Sequence, residues 1–148
     1  MTTPPLATIG YEGSTIDRVI ATLCEAGVTH LVDVRAVPQS RKPGFSKNLL
    51  AGTLAEAGIA YTHLRGLGTP KPGRDAARRG DTATMHRIFA AHMEKPEAQH
   101  DLARAAAIAR AERACLLCFE RDHMQCHRTL VADMLGLMPV RHLLAEAV

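Results

Sequence analysis

The sequence predicts an α/β fold, a single three-layer domain spanning residues 1–148, with a mostly parallel sheet of about five strands flanked by helices. Three observations carry that reading. Short apolar runs of strand length alternate with longer segments of helical period. Glycines punctuate the ends of those periodic segments, as Gly27 and Gly58 do. No repeat, low-complexity tract or linker divides the 148 residues, a length that suits one core.

The elements follow in chain order. Ala7 to Tyr11 reads as a buried strand that ends at Glu12-Gly13. Ser14 offers a helix N-cap with Asp17 three residues on, and Ile16, Val19, Ile20 and Leu23 form the apolar stripe of a helix laid on a sheet. His30 to Arg35 is the second strand, with Asp33 and Arg35 at its far end and Pro38 stopping it. A second helix runs from Ser46, as cap, to Ala57, and Ile59 to Leu64 is a third strand. Two strands joined through a helix imply right-handed parallel crossovers. Gly66 to Gly80, rich in Gly, Pro and Arg, reads as one long irregular loop. Asp81 caps a helix carrying Met85, Ile88, Phe89 and His92, and Pro96 opens another with Ala98, Leu102, Ala105 and Ala109 inward. Ala114 to Glu120 is the most apolar strand and suits a sheet centre covered on both faces. The polar loop Arg121 to Gln125 leads to a helix opening at Cys126-His127-Arg128, and Val140 to Leu144 is the last strand.

Composition narrows the function classes. With 47% apolar and 22% charged residues the chain folds rather than remaining disordered. No apolar run approaches the ~20 residues of a membrane span, and the first ten residues lack the pattern of an export signal. A cytoplasmic protein with no membrane partner and four reduced thiols is therefore expected. Charge is uneven. Between Ala36 and Gly80 eight Lys or Arg (Arg41, Lys42, Lys47, Arg65, Lys71, Arg74, Arg78, Arg79) stand against Glu56 and Asp75, a concentration that attracts anions. Two Tyr, three Phe and no Trp are too few for a multi-base stacking platform.

Ligands of open parallel sheets bind beyond the carboxyl ends of the strands, where this sequence repeatedly sets polar groups. Glu12, Asp33, Arg35 and Glu120 end strands, and Cys126, His127 and Arg128 open a helix whose free N–H groups favour an anion or a thiolate. Cys126 is thus a candidate nucleophile, or the turn holds a phosphate or carboxylate. The bland alternative has Cys126 packed as a small core residue and Arg128 paired with Asp33 or Glu120. A cysteine phosphate loop needs Cys and Arg flanking five residues, and neither Cys118 nor Cys126 has that Arg. Cys115 and Cys118, three apart on a strand, face opposite ways, so they cannot share one ion with Cys126 and His127 and no metal is expected. A Cys118–Cys126 disulfide is geometrically easier, because a strand end can approach the next helix start. Gly66-x-Gly68 lacks the strand–turn–helix setting of a dinucleotide fingerprint, so no cofactor is expected either.

Thr8-Ile9-Gly10-Tyr11, Val32-Asp33-Val34-Arg35 with Pro38 and Ser40-Arg41, Tyr61-x-x-Leu64 with Leu67-Gly68, and Leu116 to Glu120 followed by Cys126-His127-Arg128 resemble the domain of unknown function 488 family. The resemblance implies a small α/β domain with a site around those motifs, and lends no reaction. Carried onto this chain it nominates Asp33, Arg35, Ser40, Arg41, Glu120, Cys126, His127 and Arg128. Two functions stay open. One is an enzyme acting on a small anionic or nucleotide-like substrate: Arg35, Ser40, Arg41 and Arg128 bind it, while Cys126, Asp33, Glu120 and His127 do chemistry. The other is a non-catalytic module that binds phosphate or a nucleic-acid backbone. No interface signal speaks to oligomeric state.

Overall fold

The structure, a computed structural model, describes residues 4–137 and 139–147. Five strands form one wholly parallel sheet in the order β3-β2-β4-β1-β5. They are β1 (Leu6–Gly10), β2 (His30–Asp33), β3 (Ala60–His63), β4 (Ala114–Cys118) and β5 (Val140–Leu143). Helices α1 (Ile16–Glu25), α2 (Lys47–Glu56), α3 (Lys71–Arg78), α4 (Thr82–Met93), α5 (Pro96–Ala111) and α6 (His127–Leu135) separate them. No described helix is long and apolar enough to cross a membrane.

β4 occupies the centre, as its unbroken apolar character requires, and every one of its residues is buried. Strand alternation sorts those residues between two cores. Cys115 and Leu117 pack with Val19 and Leu23 of α1 and Leu50 and Leu54 of α2. Leu116 and Cys118 pack on the opposite face with Phe89 of α4, Ala105 of α5 and Val131 of α6. Small alanines along α5 let that helix lie close to the sheet.

Three sequence expectations are corrected. Thr15, not Ser14, caps α1, accepting from Arg18 N at 3.4 Å, while Ser14 Oγ donates to the Glu146 carbonyl at 2.8 Å. Ser46 stands at the head of α2 but its hydroxyl donates to Ser40 O at 3.2 Å instead of capping. The stretch Gly66 to Gly80 is not one loop, because α3 fills most of it. Pro at the first turn is compatible with a helix start, since its missing N–H would be unpaired there anyway. Gly73 is needed because α3 presses on Thr69: a Cβ at Gly73 would meet Thr69 Cγ2 at 2.4 Å. Asp81 caps α4 as expected, accepting from Thr84 N at 3.2 Å.

Candidate functional site at the crossover between β1 and β4

The chain leaves β1 for α1 on one face of the sheet and leaves β4 for α6 on the other. Neighbouring strands whose connections diverge in this way open a crevice at their carboxyl ends. A cavity of about 700 Å³ lies there, its lining including Tyr11, Arg35, Arg74, Cys118, Glu120 and His127. The β1 and β4 exits are laced together below it, with Glu12 N donating to Phe119 O at 2.8 Å. Gly10 makes this possible, because a Cβ there would stand 1.7 Å from the Glu120 carbonyl oxygen.

Beneath the cavity wall Asp33 and Arg35 form a buried ion pair. Asp33 Oδ1 accepts from Arg35 N at 3.0 Å and Nε at 2.9 Å, and Oδ2 accepts from Arg35 Nη2 at 2.7 Å. The Tyr61 hydroxyl donates to Oδ2 at 2.6 Å. Arg35 Nη1 donates to the Tyr11 hydroxyl at 3.1 Å and to Phe45 O at 2.7 Å. Burial opposes the charge on Arg35, but the hydrogen bond and charge of Asp33 outweigh it and hold the guanidinium protonated. Burial, with the charge of Asp33, likewise pushes the Tyr61 hydroxyl up. Asp33 is thus enclosed and fully engaged by its neighbours.

Two histidines pin the same strand end. His63 Nε2 donates to the Arg35 carbonyl at 2.7 Å, and His127 Nε2 donates to the Val34 carbonyl at 2.7 Å. Burial lowers the pKa of His127 to about 4, so its ring is neutral, with Nδ1 facing Cys126 Sγ at 3.8 Å.

Arg128 is buried in full and takes neither predicted partner, Asp33 or the Glu120 carboxylate. Its Nε donates to Thr8 Oγ1 at 3.1 Å, and Nη1 and Nη2 donate to the carbonyls of Glu120 and Arg121 at 2.5 and 3.2 Å. Nη1 also stands 3.3 Å from Cys118 Sγ. The guanidinium therefore shapes the loop after β4 and is not presented to an anion. Arg35 does line the cavity, with most of its donors engaged. Ser40 and Arg41 are absent from the cavity lining: Ser40 Oγ accepts from Lys42 N at 3.0 Å and orders its own loop, and Arg41 is exposed.

The cysteines depart furthest from expectation. Cys118 and Cys126 are joined as a disulfide, their Cα atoms 7.2 Å apart, while Cys24 and Cys115 are free. That corrects the assumption of four reduced thiols, and it is Cys118, not Cys126, whose side chain lines the cavity. Glu120 remains at the wall, half-buried, its Oε2 3.5 Å from Cys118 Sγ. Burial pushes its carboxyl above the usual range, against the pull of its own backbone N–H and of Arg128. Facing the same cavity, Arg74 donates to the Thr69 carbonyl at 3.0 Å. Thr69 Oγ1 is buried with no hydrogen-bond partner among the described residues.

Sequence reasoning named Arg74 only as one of the basic residues between Ala36 and Gly80 and passed over Thr69, because their segment read as a loop. Tyr61 and Cys118 stood in the quoted motifs, and their strand-end positions were the signal. No curated protein and no solved structure matches the chain. The model of one family, described as "Domain of unknown function DUF488", matches residues 15–135, most of the chain, and the protein belongs to that family.

Proposed function

We propose that the protein is an enzyme acting on a small anionic substrate, of nucleotide-like size, in the cavity beyond β1, β2 and β4. One observation carries the reading: Glu120, a carboxyl held toward its protonated form, and Arg74, a cation bonded to a carbonyl rather than a carboxylate, line the same cavity. Arg74 supplies charge to hold the anion, helped by the remaining Arg35 edge. Glu120 supplies the proton-transfer group, since a carboxyl whose pKa burial raises keeps its proton to higher pH than a free one and can donate as well as accept. A pure anion clamp gains nothing from such an acid.

The test is a panel of nucleotides, phosphate monoesters and small carboxylates, read by thermal shift for binding and mass spectrometry for product. Arg74→Ala should weaken binding by roughly 10–100-fold, the worth of a charged hydrogen bond. Glu120→Gln should keep binding and lose roughly 10²–10⁴ in rate. An unchanged rate in Glu120→Gln, or a panel that nowhere stabilises the fold, would sink the proposal. The second reading, a phosphate or nucleic-acid-backbone binding module, is favoured by the basic run of Lys71, Arg74, Arg78 and Arg79. Affinity that falls steeply with salt, with no turnover, would select it.

A further inference from the structure

We infer that Cys118, Cys126 and His127, with both thiols reduced, form a three-ligand site for a thiophilic divalent cation of the zinc class, its fourth position open to the cavity. The two sulfurs and a ring nitrogen lie within 4.8 Å of one another. Around a tetrahedral zinc with Zn–S near 2.3 Å and Zn–N near 2.0–2.1 Å, donor atoms stand about 3.6–3.8 Å apart. The 3.8 Å between Cys126 Sγ and His127 Nδ1 is within about 0.2 Å of the roughly 3.6 Å that a sulfur and a nitrogen keep on such an ion. The Cys118 and Cys126 Cα atoms are 7.2 Å apart. Ordinary disulfides hold them at about 4.4–6.8 Å, so this backbone has room for an ion between two thiolates.

The surroundings are those of a ligand set. A metal-bound histidine usually donates its other ring N–H to a carbonyl or carboxylate, which fixes tautomer and direction. His127 does this through Nε2 to Val34 O at 2.7 Å, leaving Nδ1 aimed at the sulfur. Arg128 Nη1, 3.3 Å from Cys118 Sγ, favours the thiolate. The strand objection raised by the sequence falls on Cys115 alone, which packs on the other face of the sheet. Cys118 and His127 line the cavity, so an ion held by the three ligands keeps a side toward it. Three protein ligands and an open position are the pattern of catalytic rather than structural zinc. Glu120 Oε2 stands 3.5 Å from Cys118 Sγ, beside that open side.

Loading starts from the reduced pair. A phosphine and one water convert the disulfide to two thiols and the phosphine oxide, and the cation then displaces both thiol protons to buffer. The inference goes beyond the proposed enzyme because it is measured without any substrate. Phosphine-reduced protein is titrated with cobalt(II) under nitrogen, then with zinc, and metal content is counted after gel filtration. One cobalt per chain is expected, with the intense thiolate-to-cobalt charge-transfer absorption, bleached by one equivalent of zinc. Cys118→Ser should weaken binding more than about 100-fold, since losing a direct ligand exceeds the ~10–100-fold loss from a residue behind one. Cys24→Ser should bind like the parent. Reduced wild-type protein that takes up no cobalt, or a disulfide that resists reduction in the folded state, overturns the inference even if the variants fail to fold. So does a Cys118→Ser protein that keeps the charge-transfer band. Turnover by protein that takes up no cobalt would leave the proposed enzyme standing and remove this site.

Discussion

The Tyr61 hydroxyl on β3 donates at 2.6 Å to Asp33 Oδ2 on the neighbouring β2, a carboxylate that Arg35 already grips through Nε and Nη2. Three buried or half-buried polar groups on adjacent strands thus satisfy one another. Breaking such a group from one side leaves an uncompensated charge. Asp33→Ala should cost about 3–5 kcal/mol, because Arg35 stays buried without its counter-ion. Tyr61→Phe should cost nearer 1–2 kcal/mol. Urea unfolding of both variants checks this, and an Asp33→Ala loss under about 1 kcal/mol would refute the buried pair.

His127 sets a pH dependence in metal-free protein. Its folded pKa lies near 4, below its ordinary 6.5. Between those values the unfolded chain binds a proton that the folded one refuses, so stability falls as pH drops through this window and levels off below it. The loss reaches about 3 kcal/mol at most, from the size of that shift. Urea midpoints at pH 7 and pH 4.5, with chelator present, should differ less in His127→Gln than in the parent. Equal slopes would remove His127 as the cause.

Two glycines should respond oppositely to alanine. At Gly10 the added Cβ would stand 1.7 Å from the Glu120 carbonyl oxygen, so the exit of β4 must move, at about 2–3 kcal/mol or more. Gly52, inside α2, has nothing within 4 Å of a new Cβ, and Gly52→Ala should stabilise by about 0.5–1 kcal/mol. Thermal melting of the pair tests both signs at once.

The free cysteines should differ in reactivity. Cys24 is exposed, whereas Cys115 is buried in full and burial pushes its thiol up. Brief alkylation of unreduced native protein, read by peptide mass spectrometry, should label Cys24 alone. Labelling of Cys115 on the same timescale would mean that the α1 face opens readily.

Much of this architecture was legible in the sequence. The apolar run from Ala114 marked the central strand, and the stripes of α1, α4 and α5 marked helices, because burial leaves a periodic trace. The strand-end position of Glu120 and the helix-start position of His127 pointed to where the cavity lies, while Asp33, also at a strand end, sits outside its lining. What stayed hidden depends on distance rather than pattern. Nothing in the spacing of Arg128 said that it would bond carbonyls instead of carboxylates. The Pro-rich opening of α3 also reads equally well as loop or as helix start, and that ambiguity hid the place of Arg74 at the cavity.

β5, at one edge of the sheet, pairs with β1, and its neighbourhood is tied back to the beginning of the chain: Thr8 Oγ1 lies 2.6 Å from His142 Nδ1, and Ser14 Oγ reaches Glu146 O. β1 also waits for β4 on its other side. During synthesis the first strand therefore emerges with both hydrogen-bonding edges bare and keeps one bare until residue 140 has been made. Pairings this distant in sequence form slowly, and bare strand edges recruit other chains. Sealing the sheet thus waits on a strand more than a hundred residues further along the chain, so a ribosome stalled before Val140 would hold a sticky, unfinished sheet rather than a slightly trimmed one.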